Sequence, residues 1–411
     1  MPHKEIKKNI PKQIQKLFFT LYYTRYIIGS GFLASGLFLI LRNKGIALDK
    51  LSLIPLMSLP LSFKVLWAPF IDKYLKTSSG HYRNWLLIAQ FLMILGLFAI
   101  AFIDPVNNYL LVLLAILFFS FIILTQDLAL ANLTSNISEE HERGLIASLD
   151  VSGFMYGNII GGAIVLVLYS YTSWSVCIIF LSGFLAFSFP WRQIWFFNEY
   201  KFSKNSRISE TTDKNYWKNI VSVWKGKKSW CALLVIIPFG ISPSYNLMPL
   251  ALLDSGWSLA NTALLLKLFG TMILVITIYV GIRQLRKLTR KQSLSFSIIF
   301  HACCLLSFIP ISLGHNNALL VYFSFFPYFV SLQFVRTCLY TIILDNAASS
   351  VAPTTAANAQ MAILGGFDLI VASLSFYFAQ KWGYFVIITG SVAIAFFAAF
   401  LATRVVQNQS D

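Results

Sequence analysis

Runs of apolar residues recur along the whole chain, broken by short polar stretches such as Asp104-Pro105-Val106-Asn107-Asn108 and Gly314-His315-Asn316-Asn317. Each run is about 20 residues long, the length a helix needs to cross a bilayer. Within hydrocarbon only helices and closed barrels satisfy their own backbone polar groups. Barrel strands would be about 10 residues long and alternate polar with apolar, a pattern this sequence lacks. Charged residues make up 12% of the 411, about half the soluble norm of about 25%, and the mean hydropathy is +0.70. The chain therefore reads as an all-α membrane protein.

The pattern predicts twelve transmembrane helices, over 17–41, 51–71, 85–104, 109–133, 145–172, 174–198, 230–252, 259–281, 293–313, 318–345, 356–379 and 384–403. The basic leader 1–16 precedes a run too long for a cleavable signal, with Arg25 inside it, so 17–41 is read as the first span. With the N-terminus inside, the inner segments hold 24 Lys and Arg and the outer loops 4. That bias puts both termini in the cytoplasm and the chain in the inner membrane. The net charge of +16 is then a feature of topology and of contact with anionic lipid, and nucleic acid drops out as a partner.

The longest loop divides the chain into a six-helix half over 1–198, a basic linker over 199–229 and a second six-helix half over 230–411. Within the linker Trp217, Ile220, Val221 and Trp224 follow helical spacing among Lys214, Lys218, Lys225, Lys227 and Lys228. This predicts an amphipathic helix on the inner leaflet.

Seven ionisable residues lie inside the apolar runs: Arg25, Lys64, Lys267 and Arg336 against Asp127, Asp150 and Asp368. A charge in hydrocarbon is costly and marks a transport path by default. Lys267 and Asp368 lie nearest mid-span, with Arg336 next in depth. Lys267 and Arg336 suit an anionic group, Arg through a planar fork and Lys as a point charge. Asp368 suits a proton carrier, since an acid near cations switches with protonation. Arg25, Lys64, Asp127 and Asp150 form a layer nearer the inner face, with structural pairing open beside substrate or proton roles. His301, the one histidine inside a span, reads as a packing residue. Gly29, Gly31 and Gly36, with Gly153, Gly157, Gly161 and Gly162, suit close helix packing. All five cysteines read as small core hydrophobes, and no metal or cofactor motif occurs. With one His and no Glu in the spans, an intramembrane enzyme lacks its parts.

The stretch Phe63-Lys64-Val65-Leu66-Trp67-Ala68-Pro69-Phe70-Ile71-Asp72-Lys73-Tyr74 is the most specific. Arg83, Trp85-Leu86-Leu87, Gln90, Thr125-Gln126-Asp127-Leu128 and Glu142-Arg143-Gly144 follow it; Lys267 with Gly270 and Gln360 with Ala362 extend it thinly. The series resembles the AmpG-like branch of the major facilitator superfamily, which takes in muropeptide permeases, acetyl-CoA transporters and siderophore permeases. The resemblance implies two six-helix halves rocking about a mid-membrane site, with Asp72, Lys73 and Arg83 as a loop gate. It adds Gln126 and Gln360 to Arg25, Lys64, Lys267 and Arg336 as substrate-binding residues, and Asp127 and Asp150 to Asp368 for proton coupling. The family's second acid after the Gln-Asp pair is Ala131 here, beside Asn132, and the arginine expected near Gly153 is missing. The expectation is a monomeric, proton-gradient-driven importer of an anionic small molecule. The favoured substrate is a ferric siderophore of the carboxylate type; an anhydromuropeptide is the alternative, and a transporter-like receptor the reading of another class.

Overall fold

The computed structural model of the chain describes residues 10–75, 78, 80–195, 197–202, 216–225, 227–285, 288–348, 350 and 352–406. Lys214, named above, lies outside them. The described residues form helices and loops without strands.

The principal helices are α1 (Lys12–Asn43), α2 (Leu48–Leu61), α3 (Lys64–Lys73), α4 (Tyr82–Ile100), α5 (Tyr109–Ile137) and α6 (Arg143–Tyr171). They continue with α7 (Trp174–Ser188), α8 (Tyr216–Ser222), α9 (Lys228–Asp254) and α10 (Leu259–Ile278). Last come α11 (Arg290–Leu306), α12 (Ala318–Ala348) and α13 (Pro353–Val405). Among the described residues eight helices are long and apolar enough to cross a membrane, or nine with α2 and α3 as one span bent by 46°. The twelve expected spans exceed that number because α7 has 15 residues and α11 has 17. In addition, α13 runs for 53 residues through two expected segments. It breaks at Gly383, whose φ of 78° glycine adopts without steric cost.

Packing follows two groups of helices, before and after α8. In the first, α1 lies along α6, and α4 packs on α5 and α7. In the second, α9 and α11 pack on α13, and α12 packs on α10 and α11. The α1–α6 contact is close because small residues face each other: a Cβ on Gly31 would lie 2.5 Å from the Gly157 carbonyl oxygen, and one on Gly153 2.6 Å from Tyr22. Two seams join the groups, α2 and α3 against α13, and α6 against α10.

The hydrophobic cores show which end is shut. At the Arg42 end one core draws on both groups, with Phe38, Leu41 and Leu51 packed with Leu247, Leu259 and Phe376. Toward the other end each group has a core of its own, one built on Leu21, Leu86 and Leu133, another on Leu234, Ile298 and Ile342. Apolar surface is thus pooled at one end and largely divided at the other, where the small cluster of Val65, Tyr216 and Ala362 bridges the groups.

The linker helix departs from expectation. Ile220 packs on Tyr216, Val65 and Ala362, and Trp224 packs on Val223, Ala347 and Ala356, while Trp217 and Val221 stay exposed. The predicted single apolar face is split because two of its four residues pack against protein.

Candidate functional site

Three helices change register where the two groups meet. α1, α6 and α10 each carry a π-helical stretch, Ile27–Gly36, Ile159–Ile164 and Leu264–Phe269. Such stretches are rare and frequent at functional sites, because the wider turn leaves backbone groups without helical partners. Lys267 stands where all three converge. Its Nζ donates to the Ser30 carbonyl and to Asn158 Oδ1, both at 2.9 Å, and its methylenes lie against Gly162. Asn158 is fixed by donating to Ser30 Oγ at 3.0 Å and to the Phe154 carbonyl at 2.9 Å. Lys267 is 4% exposed and hydrogen-bonds across the seam to the other helix group.

Around Lys267 lies a small chamber of about 70 Å³ lined by Ser35, Asn158, Asn246, Thr271, Gln333 and Arg336, with Phe154, Tyr245 and Phe329 as aromatic walls. Room for one or two waters is all it offers. A larger chamber of about 450 Å³ continues away from the Arg42 end and shares Phe154, Gln333 and Arg336, adding Tyr26, Asp150 and Thr337. Arg336 is the group common to both that carries charge. Its guanidinium is exposed to the chamber and lies 5.4 Å from the Tyr245 ring centroid. Among the described residues it has no acid within ion-pair distance. A guanidinium facing a cavity, with five donors and no acceptor, is chemically able to hold an anion.

Asp368 lines neither chamber. It is half-buried on α13 within the field of Arg336, and its carbonyl accepts from Ser242 Oγ at 2.9 Å. His301 is fully buried, with Nδ1 3.0 Å from Ser331 Oγ, as expected of a packing residue.

The inner layer comes together as one cluster. Arg25 is ion-paired with Asp127 and, at 3.1 Å, with Asp150; Lys64 Nζ lies 3.5 Å from Asp127. Tyr26 Oη donates to Asp150 at 3.0 Å, and the Arg25 guanidinium sits 4.1 Å from the Tyr26 ring centroid. Two cations and two acids neutralise one another, and Asp150 alone among them lines a chamber. Gln126 is buried and donates to the Leu21 carbonyl; Gln360 is buried and bonds Trp230 at 2.7 Å and the Ile343 carbonyl. Neither glutamine reaches a chamber.

The three expected gate residues point to different partners. Asp72 accepts from Tyr82 Oη at 2.9 Å and from Asn132 Nδ2 at 3.1 Å. Asn132, beside the position where the family's second acid is absent, thus engages the loop acid. Arg83 donates to the carbonyls of Trp195 and Phe197, just before the linker. Lys73 is exposed, 5.5 Å from the Tyr74 ring centroid. Beside them Glu199 accepts from the Tyr82 and Arg83 amides at the N-terminus of α4, and burial pushes its carboxyl above the usual range.

Sequence reasoning missed the opposite latch. Arg42 grips Asp254 through two parallel bonds of 2.8 Å, Tyr384 donates to the same carboxylate at 2.5 Å, and the Leu48 amide donates to Gln380 at 2.9 Å. These contacts tie α1 and α2 to α9 and α13. The only signal in the sequence was the position of these residues at the ends of apolar runs. Asn158 and Tyr245 carried no signal either, being uncharged.

A sequence model described as Major Facilitator Superfamily matches residues 19–375. A Rickettsia bellii protein named putative transporter AmpG 1 is 25% identical over 296 residues, 69% of this chain and 72% of its own length. The anhydromuropeptide permease of Escherichia coli K12 is 28% identical over 104 residues, 25% of this chain and 21% of its own length. The chain likewise spans 32% of a Haemophilus influenzae relative and 28% of a Rickettsia prowazekii one. The crystal structure of the nucleoside transporter NupG superposes with a TM-score of 0.68 over 94% of this chain and 98% of that one, at 14% identity, a likeness of fold. With a family match running from α1 into α13, the chain belongs to the Major Facilitator Superfamily.

Proposed function

We propose that this protein is an AmpG-like permease that imports an anionic solute of the anhydromuropeptide class, driven by the proton gradient. One observation carries the reading: Arg336, without an acid partner among the described residues, stands on a chamber that continues to Asp150 and is shut at the Arg42 end. The positive-inside bias makes the open end cytoplasmic, so this conformation faces inward. Lys267 adds a second cation, Gln333, Asn246 and Thr337 supply the donors and acceptors that a hydroxyl- and amide-rich solute needs, and Tyr245 and Phe154 offer faces for a sugar ring. Asp368, in the field of Arg336, takes the proton that relieves the site when the anion leaves. The inner cluster of Arg25, Lys64, Asp127 and Asp150 holds α1, α3, α5 and α6 together. Asp72 and Arg83 tie the loop ends beside it.

The AmpG and anhydromuropeptide permease names among the relatives favour the muropeptide alternative over the siderophore. Uptake of a radiolabelled anhydromuropeptide into right-side-out vesicles tests the reading, with a ferric siderophore in a parallel arm. Gradient-dependent accumulation of the first solute only in vesicles that carry the protein is expected. Equal uptake with and without the protein overturns it.

A further inference from the structure

In an α-helix the carbonyl of residue i accepts from the amide of residue i+4. Four residues after Val65 stands Pro69, which has no amide hydrogen and whose ring crowds that carbonyl. The carbonyl of Val65 is therefore deprived of its helical donor inside α3. A hydroxyl from elsewhere takes the place: Tyr216 Oη donates to the Val65 oxygen at 2.6 Å.

Tyr216 is the first residue of α8, in the linker, and is 4% exposed. Its ring shares an apolar cluster with Val65 of the first helix group and Ala362 of the second, and Ile220 packs against them. One linker side chain thus touches both sides of the seam between α3 and α13. Ser62 and Phe63, in the break between α2 and α3, lie close to Gly365 and Gly366 on the same seam. The residue beside Val65 is Lys64, which pairs with Asp127. The hydroxyl of Tyr216 is one residue away from the charged layer.

We propose that Tyr216 is a positioning residue for transport: its hydroxyl replaces the hydrogen bond that Pro69 removes and so holds α3, with Lys64, in register with Asp127 and against α13. The inference rests on reading the chain as a carrier whose two helix groups move, and it does not depend on which solute is carried. It makes the linker a mechanical part, since any motion that parts α3 from α13 must release or carry the Tyr216 bond. A proline-free α3 would need no such support.

The test is a cycle of Tyr216→Phe, Pro69→Ala and the double variant, read by hydrogen exchange over residues 64–73 in nanodiscs. Tyr216→Phe removes only the hydroxyl and should speed exchange there by about two- to tenfold, the worth of one net hydrogen bond. Pro69→Ala restores an amide donor to Val65, so adding Tyr216→Phe to it should change nothing further. Equal acceleration in both backgrounds, or none in the original one, overturns the proposal. With labelled anhydromuropeptide, Tyr216→Phe should lower the maximal rate at unchanged KM and the double variant should recover it. A raised KM at full rate overturns the positioning role. If the unaltered protein carries no anhydromuropeptide, the solute assignment falls alone, and the exchange cycle still decides on Tyr216.

Discussion

At the scale of single residues the embedded charges divide by their partners. Among the described residues Arg336 has no acid in ion-pair distance, and on the proposed reading its removal should take away the anion site. Arg336→Ala should weaken solute binding by about 10- to 100-fold, the range for a hydrogen bond to a charged group, and Arg336→Lys should restore part of it. Binding measured by calorimetry on the purified protein checks both. Arg25 is the opposite case, since it serves Asp127 and Asp150 together. Arg25→Leu should cost on the order of 1–3 kcal/mol, the penalty for leaving two partly buried carboxylates without their donor, and should lower the thermal midpoint. Adding Asp127→Leu should recover part of that loss. All seven charges were legible as anomalies in apolar runs, and the pairing of the inner four was among the expected outcomes. The grip of Lys267 on Ser30 and Asn158 was not, because a π-helical stretch is a backbone feature with no side-chain spacing to betray it.

At the scale of elements, close packing and linker docking are the exposed points. A Cβ on Gly157 would run into Tyr26, whereas one on Gly183 meets nothing. Gly157→Leu should therefore force α1 from α6 and abolish uptake. Gly183→Ala should raise the thermal midpoint slightly, by the helix propensity of about 1 kcal/mol at most. Glu199 ties the linker to α4, and burial raises its carboxyl, so the folded state holds that proton more tightly than the unfolded one. Its contribution to docking is fullest below the ordinary carboxylate range and declines as pH rises through the raised value. Glu199→Gln keeps an acceptor without the charge. Its thermal midpoint should gain on the unaltered protein as pH moves from mildly acidic to neutral; a difference independent of pH would refute this. The helices themselves were legible from apolar runs, and so was a helix in the linker. Its orientation was not: Tyr216 answers to Pro69, 147 positions away in the chain, and no local window contains both.

For the whole molecule, the two ends are held by different forces. The Arg42 end is closed by a shared apolar core with the Arg42–Asp254–Tyr384 latch beside it, and the other end lies open above divided cores. Arg42→Ala should shift the population toward opening at that end by up to about fivefold, given about 1 kcal/mol for a surface pair. Alkylation of a cysteine placed at Ser35 by a membrane-impermeant reagent from the Arg42 side reads the shift. The fold class was legible from sequence. Which end stands shut was not, since shutting depends on contacts between segments hundreds of residues apart. The pooled core also gives the transport cycle a thermometer. Opening the Arg42 end exposes apolar surface to water and carries a positive heat capacity. Cooling weakens apolar association, so the resting balance between conformations should drift with temperature along a curve, not an Arrhenius line.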